Sequence, residues 1–323
     1  MSPLAGDITM EVAPDVFAVS APFLGFPLNL YFIGGKEWAV VDTGISTTPR
    51  EAIVPFMEDH GGVKALTFVL GTHGHVDHVG GNGALRSLNP EVRLSLPALD
   101  ILWAESPQRH YLQLYKAAAP GTWDPDDEFE ALIVGAFGEP AAIDVSLVDG
   151  QTLNVSGRTV EVQHVGAHSP GHVIFVDRAS DVAFVGDIIQ GAGELNTESG
   201  LRSFPLYTPV REYRKALESV RQVGVSTYCT AHTGVLSREE MAVEIDAAVK
   251  WTEDFHAFLR DLLERNDAMT LTEVVNEVLM HMPGYERSLQ VHVATMAHLD
   301  ELIRSEDAKP SMRGGLKTWS RNR

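Results

Sequence analysis

The chain has 323 residues, 44% of them hydrophobic and 21% charged, which suits one large soluble domain or a domain with an appendage. Its formal net charge of −19 argues against a nucleic-acid partner, because Lys and Arg drive phosphate binding. No apolar run reaches the length of a membrane span, and the single cysteine, Cys229, leaves no intrachain disulfide. The N-terminus shows no signal-peptide pattern, so we expect a cytoplasmic protein that acts on a small molecule and not at a membrane.

The first part of the chain is typical of short strands separated by turn residues. Strands are predicted over residues 15–22, 28–33 and 38–42. The last of them ends in the carboxylate of Asp42, which we interpret either as a turn residue or as a side chain that orients a metal ligand. A helix is predicted over 47–59 and a further strand over 65–70.

The stretch THGHVDHVGG follows that strand and contains the pattern H-x-H-x-D-H, formed by His73, His75, Asp77 and His78. Neutral imidazoles and carboxylate oxygens together are the ligands that a zinc-like dication binds well. A single histidine is more often structural, but three histidines and a carboxylate within six positions favour a metal site. The strand before this stretch and the helix predicted over 81–88 place the ligands on a loop held by a rigid scaffold.

An irregular, aromatic segment covers about 98–138, after a strand at 92–96. A helix over 99–118, an acidic Pro-rich turn over 120–128 and a second helical piece over 129–137 are predicted there. Because the segment lies between two groups of candidate ligands, we expect it to cap a cleft. The alternative is an ordinary packed helical hairpin.

Strand patterning returns at 146–147, 152–155, 159–165 and 173–176. The stretch HVGAHSPGHVIF carries His164, His168 and His172. The apolar run DVAFVGDII then delivers Asp187 at a strand end. After a helix predicted over 208–223, a strand over 226–230 finishes in TAHTG with His232. Four separate strand ends therefore present side chains that bind metals.

The remainder of the chain reads as helices over 237–265, 272–281 and 285–304, and its histidines are predicted to be core or surface residues. The tail, 309–323, carries five Lys or Arg and no acid, so we expect it to be disordered, with a membrane, nucleic-acid or subunit contact as the alternative. The expected organisation is a catalytic domain over 1–236, a helical region over 237–308 and this tail.

Over about residues 12–234 these motifs resemble the metallo-β-lactamase superfamily. The resemblance implies an αββα sandwich, here with a C-terminal helical appendage, and two divalent metal ions, zinc first, with iron or manganese as alternatives. It assigns His73, His75 and His168 to one ion and Asp77, His78 and His232 to the other, with Asp187 bridging them. His172 corresponds to a position that is structural in the family.

The resemblance also narrows the subgroup. The commonest true β-lactamases carry a cysteine where this chain has Asp187, so antibiotic hydrolysis is disfavoured. The Asp-bridged pattern is similar to the glyoxalase II, acyl-homoserine lactonase and β-lactamase-like protein 2 groups. The helical end resembles the winged-helix-like appendage of the last group but shows no evident β wing. We find no basic pattern of the glutathione-binding type, which disfavours glutathione thioesters.

The expected chemistry is hydrolysis by a metal-bridging hydroxide, because two dications sharing Asp187 would lower the pKa of bound water from about 15.7 toward about 7. Asp77 would orient that hydroxide and carry its proton, and Tyr207 is a candidate oxyanion donor. The predicted substrate is a carboxylic ester, a lactone or another small neutral acyl compound.

Three alternatives stay open. The first is a phosphodiesterase or nuclease of the same fold, which the acidity of the chain disfavours. The second is an iron-dependent redox enzyme similar to persulfide dioxygenases. The third is a non-catalytic regulatory or dimerisation module, and a homodimer is also compatible with the catalytic readings.

Overall fold

The computed structural model describes residues 9–21, 23–119 and 121–322. Within them, the first seven strands form one sheet whose spatial order follows the sequence order. These strands are β1 (Thr9–Ala13), β2 (Val16–Ser20), β3 (Asn29–Ile33), β4 (Trp38–Val41), β5 (Leu66–Leu70), β6 (Arg93–Pro97) and β7 (Val145–Leu147). The first four pair antiparallel, whereas β4 to β7 run parallel, so the carboxyl ends of the parallel strands meet at one edge of the sheet.

The next six strands form a second sheet, in the order β13-β12-β11-β10-β9-β8. They are β8 (Thr152–Val155), β9 (Arg158–His164), β10 (Val173–Asp177), β11 (Val182–Gly186), β12 (Thr227–Thr230) and β13 (Gly234–Ser237). Strands β11 and β12 run parallel, and the other neighbours pair antiparallel. The strand ends that precede Asp187 and His232 are therefore side by side.

Helices cover the outer face of each sheet. The α-helices of the described residues are α1 (Val54–Glu58), α2 (Val76–Val79), α3 (Asn82–Leu88), α4 (Ile101–Ala104), α5 (Pro107–His110), α6 (Asp127–Phe137), α7 (Val210–Val223), α8 (Arg238–Arg265), α9 (Leu271–His281) and α10 (Leu289–Arg304). A π-helical turn, Pro49–Ile53, leads into α1, and a second, Tyr111–Lys116, follows α5.

The two sheets pack face to face, and the side-chain alternation of the strands explains how. In β10, Val173 and Phe175 lie in the core between the sheets, whereas Ile174 and Val176 lie in the core beneath the helices of the second sheet. Cys229 belongs to the core between the sheets, which agrees with a packing role. The predicted αββα sandwich is confirmed.

The insertion between β6 and β7 differs from its prediction. A single helix over 99–118 is wrong, because the chain breaks at Ser106 and Pro107 into α4 and α5. Proline lacks the N–H that would continue the helix, and the Ser106 hydroxyl instead accepts a hydrogen bond from the Arg109 N–H at 3.2 Å. Helix α6 begins where Asp126 accepts from the Phe129 N–H at 2.9 Å.

The C-terminal helices begin at recognisable caps. Ser237 caps α8 and Thr270 caps α9, each in a reciprocal arrangement with a glutamate three residues later. Helix α10 begins at Leu289, four residues later than predicted, after the turn that follows Pro283. Both α8 and α9 therefore start where side chains satisfy free backbone N–H groups.

The expected disorder of the tail is wrong. Strands β15 (Ala308–Arg313) and β16 (Leu316–Arg321) form a hairpin, and β16 also pairs with β14 (Met269–Thr270). Gly314 and Gly315 adopt positive φ angles in its turn, and Trp319 is 3% exposed. Three of its basic side chains face acids of the helices in the pairs Arg313–Glu273, Lys317–Asp300 and Arg321–Glu264. The sequence showed no evident β wing, but the hairpin of β15 and β16 supplies one.

The C-terminal region shares a core with the sandwich. One continuous cluster of buried apolar side chains extends from Ile174 and Val185 of the second sheet to Leu263, Leu299 and Trp319. Residues 237–322 are thus packed on the second sheet and are not tethered beside it. Among the described residues, no helix combines the length and apolarity needed to cross a bilayer.

Candidate metal centre

The predicted ligands meet at one end of the sandwich. His73 and His75 follow β5, and Asp77 and His78 lie in the short helix α2. His168 lies on the loop between β9 and β10. Asp187 directly follows β11 and His232 follows β12. The carboxyl ends of β5 and of the parallel neighbours β11 and β12 meet at this end of the sandwich, and the loop that joins the antiparallel strands β9 and β10 reaches the same place.

The seven side chains form two adjacent groups. One contains His73, His75 and His168, and the other contains Asp77, His78, Asp187 and His232. Within each group, one ligand-type atom per residue lies within 4.8 Å of the others. The structure therefore brings together all seven residues that the sequence singled out as metal ligands.

Asp187 lies between the groups. Its Oδ2 atom is 3.1 Å from His232 Nε2 and 3.2 Å from His78 Nε2 in its own group. The same oxygen is 3.4 Å from His168 Nε2 and 3.9 Å from His73 Nε2 in the other group. A carboxylate in this position can contact cations on both sides, as the bridging assignment requires.

The donor set fits divalent cations. Across the part of the chain that the structure describes, His168 Nε2 and Asp187 Oδ1 are buried without a hydrogen-bond partner. Unpaired polar atoms at a buried site are costly unless a ligand satisfies them. Imidazole nitrogens with carboxylate oxygens are also the ligands of zinc and of other first-row dications.

The protonation behaviour of the two groups differs. Burial lowers the pKa of His73 and of His75 well below the ordinary value, which keeps both imidazoles in the neutral form that binds metals. Burial also opposes charge on His78 and His232, but the nearby carboxylates, with Asp187 foremost, together outweigh it and raise the pKa of both. In the second group the carboxylates therefore favour positive charge, and a bound cation would take the place of the protons on these two imidazoles.

Hydrogen bonds behind the imidazoles fix their orientation. His78 Nδ1 lies 2.8 Å from Asp42 Oδ2, and the same carboxylate accepts from the Thr72 N–H at 2.8 Å. The ring of His168 donates from Nδ1 to the Leu206 carbonyl at 2.9 Å, and that of His232 to the Pro27 carbonyl at 2.5 Å. Each bond leaves Nε2 free to face the centre. Of the two interpretations of Asp42, the structure supports the one in which it orients a ligand.

Sequence reasoning missed Asp100, which joins two of the ligand loops. Its buried carboxylate accepts from the Gly74 N–H at 3.0 Å, the Ser169 hydroxyl at 2.5 Å and the Gly171 N–H at 2.8 Å. A Cβ on Gly171 would lie 2.7 Å from Asp100 Oδ1, so only glycine permits this approach. Asp100 follows the parallel strand β6, and that position at a strand end was the available signal.

Two further predicted residues lie outside the ligand groups. The His172 ring is buried, and its Nε2 accepts from the Asp187 N–H at 3.2 Å, which agrees with a structural role. The Tyr207 hydroxyl lies 2.7 Å from His298 Nε2 of α10, and the ring stacks on Tyr213. Tyr207 also lines the cavity described below, and its role as an oxyanion donor stays a prediction.

A cavity of about 690 Å³ opens from the centre and is reached by five of the ligands. Its walls are mostly apolar and aromatic, and Trp103 lies nearly parallel to the ring of His75 at 6.5 Å. Glu194 also lines it, and burial raises the pKa of this carboxyl to about 7. The size matches pockets for drug-sized organic molecules.

Comparisons with known proteins agree with this geometry. The family described as the metallo-beta-lactamase superfamily matches residues 25–232. An atrochrysone carboxyl ACP thioesterase of Aspergillus fumigatus is 22% identical over 306 residues, which cover 91% of this chain and 81% of that protein. A hydroxyacylglutathione hydrolase of Haemophilus influenzae is 28% identical over 164 residues, which cover 48% of this chain and 61% of that protein.

Solved structures share the fold over nearly the whole chain. A metallo-beta-lactamase family protein from Thermus thermophilus superposes with a TM-score of 0.73 at 20% identity, covering 96% of this chain and 100% of that one. A beta-lactamase domain protein from Burkholderia ambifaria gives a TM-score of 0.72 at 21% identity, covering 99% of this chain and 95% of that one. The chain belongs to the metallo-β-lactamase superfamily and is a hydrolase of that fold.

Proposed function

We propose that this hydrolase cleaves the acyl bond of a carboxylic ester or thioester whose acyl group is apolar, and that zinc is its metal. The observation that carries the proposal is the opening of the two ligand groups into one apolar, aromatic cavity. Two relatives that are named a thioesterase and a hydroxyacylglutathione hydrolase support acyl transfer to water. Thioesters therefore rank beside the lactones expected from the sequence.

In this proposal the residues of the two ligand groups hold the metal ions, and Asp77 also transfers a proton. His73, His75 and His168 would hold one cation, the four-residue group would hold the other, and Asp187 would contact both. Bound cations would supply a water of lowered pKa and would polarise the scissile carbonyl. Asp77 lines the cavity, with Oδ2 3.4 Å from His232 Nε2. Its carboxylate would accept a proton and release it toward a leaving group.

The cavity also indicates which acyl substrates are disfavoured. Among the described residues that line it, Arg287 is the one Lys or Arg, and it lies far along the chain from the ligands. Glutathione carries two carboxylates, of which a lining with one cationic side chain would leave at least one unpaired. We therefore expect thioesters of other thiols to be better substrates.

The test is a panel of acyl thioesters, p-nitrophenyl esters, lactones and bis(p-nitrophenyl) phosphate, assayed with and without a chelator. We expect turnover of thioesters or esters that the chelator abolishes and that added zinc restores. Preference for the phosphate diester would contradict the proposal. Iron above zinc in protein purified without added metal would contradict it as well, because it would favour the redox alternative.

A further inference from the structure

The cavity extends from the ligand groups to the C-terminal region. One face of α10 lines it, through the residues Leu289, Val293, Met296, Ala297 and Asp300. Counted from Leu289 they follow at four, seven, eight and eleven positions, which places them on a single stripe of the helix. The C-terminal region is therefore a wall of the same cavity that the metal-binding groups open into.

Helix α10 has two apolar faces with different surroundings. Val291, Ala294 and Leu299 face the shared core and are fully buried. Val293 and Met296, which face the cavity, are only half-buried although both are apolar. An apolar ligand that covers such side chains removes their surface from water, which favours its binding.

The wall is held in place from behind. His298 Nε2 lies 2.7 Å from the Tyr207 hydroxyl, and Leu299 and Leu302 are buried in the core shared with the second sheet. Since the core side is closely packed, the stripe cannot retreat to admit a larger ligand without breaking those contacts. The position of α10 thus sets the depth of the cavity.

The insertion supplies a second wall, which meets α10 where the Trp123 ring lies 5.6 Å from the ring of His292. Its cavity-lining side chains are mainly aromatic or aliphatic and include Trp103, Leu114, Tyr115, Trp123, Phe129 and Ile133. The edge-on packing of Trp123 against Phe129, with centroids 5.8 Å apart, stiffens this wall. An apolar group between the insertion and α10 would be covered on both sides.

We propose that α10 sets the acyl specificity of the enzyme, so that its substrates are esters or thioesters of long-chain or fused-ring acyl groups. The carbonyl would lie at the ligand groups, and the acyl body would extend between the insertion and the stripe containing Val293 and Met296. This inference rests on the proposed function. It adds the substrate class and a role in binding for the C-terminal region.

The experiment compares Met296→Trp, which fills the cavity, with Met280→Trp, the same change at an exposed methionine of α9 outside the cavity. The substrates are N-acetylcysteamine thioesters of acetyl, dodecanoyl and naphthoyl groups. For the wild type we expect kcat/KM to be highest with dodecanoyl or naphthoyl. Met296→Trp should lower the dodecanoyl-to-acetyl ratio of kcat/KM about 10- to 200-fold, and Met280→Trp should leave the ratio unchanged.

Circular dichroism would reveal whether Met296→Trp folds. If it does not, two further variants still test the inference. Val293→Phe narrows the cavity at the next position of the stripe and should lower the same ratio. Met296→Ala widens it and should shift preference toward naphthoyl. If the folded variants keep the wild-type ratios, or if the wild type prefers acetyl, the inference is overturned while the proposed function stands.

A binding measurement separates this inference from the proposed function. Dodecanamide, which is not a thioester or ester, is titrated calorimetrically into chelator-treated protein. We expect binding that Met296→Trp weakens and Met280→Trp does not. Such binding without turnover of any ester or thioester would overturn the proposed function and support the acyl-binding wall. Absence of binding to the wild type would overturn the wall.

Discussion

The metal-binding loops and the C-terminal region contain the same residue type in two different settings. In the loops and in α2, five histidines from different backbone elements present ring nitrogens to Asp187 or to each other. In α8 and α10, His256 and His298 lie against one another, and His298 engages Tyr207 in a packed core. The difference shows that a histidine becomes a candidate ligand when several backbone elements aim free nitrogens at one point.

The metal-binding loops and the C-terminal region also differ in how they are stabilised. The loops depend on hydrogen bonds from buried carboxylates such as Asp42 and Asp100, whereas the C-terminal region depends on apolar burial around Trp319. Damage to the first should therefore appear as lost metal affinity. Damage to the second should appear as lost stability.

The largest effect is expected from removing a ligand. Asp187→Ala and His75→Ala should lower metal content and turnover by orders of magnitude, because each removes a donor from a group whose members lie within 4.8 Å. The readout is metal per chain by plasma mass spectrometry after dialysis. The control, His281→Ala, changes an exposed histidine of α9 and should retain the wild-type content. Equal metal content in all three variants would contradict the assigned ligands.

The next effect should come from the hairpin that was expected to be disordered. Trp319→Ala should lower the free energy of unfolding by about 3 to 5 kcal/mol, since it empties a buried site in the shared core. Urea denaturation measures this change. Leu316→Ala, at an exposed position of the same hairpin, should change it by about 0.5 kcal/mol or less. Similar values for both variants would restore the prediction of a disordered tail.

A smaller effect is expected at Asp100. Asp100→Asn replaces one acceptor oxygen by an N–H donor that would face the N–H and O–H groups of the ligand loops. Metal affinity should fall about 10- to 100-fold, as measured by competition with a chromophoric chelator. The control is Asp246→Asn in a surface ion pair. If only the melting temperature of the metal-free protein falls, Asp100 has a structural role and does not position the ligands.

The smallest effect concerns pH and the core of the C-terminal region. Burial, with His256 and Arg214 nearby, lowers the pKa of His298 well below 6.5. The unfolded chain then binds this proton more readily, so stability should fall as the pH drops below about 6.5. His298→Gln should reduce the slope by at most about 1.4 kcal/mol per pH unit, in denaturation curves recorded with chelator. Identical slopes for wild type and variant would contradict the burial of a neutral imidazole.

The same contrast explains what the sequence could predict. The seven ligands were predictable because each lies beside a recognisable strand end and shares a short motif with Gly or another histidine. Asp100 was not, because it stands in LPALD without a neighbouring ligand, and its three donors come from distant loops.

Tertiary packing decided the features that the sequence did not predict. The basic composition of the tail concealed its hairpin, because the burial of Trp319 and the acidic partners of the basic side chains are supplied by the distant helices α8, α9 and α10. The orientation of Val293 and Met296 depends on where α10 packs, and periodicity alone cannot distinguish a core stripe from a cavity wall.

Loops distant in sequence converge around Asp187, where we expect them to hold two cations. Anomalous diffraction from crystals grown with zinc tests this expectation most directly. We predict two peaks per chain, one among His73, His75 and His168 and one among Asp77, His78 and His232, both in contact with Asp187. A single peak, or peaks away from these side chains, would contradict the account.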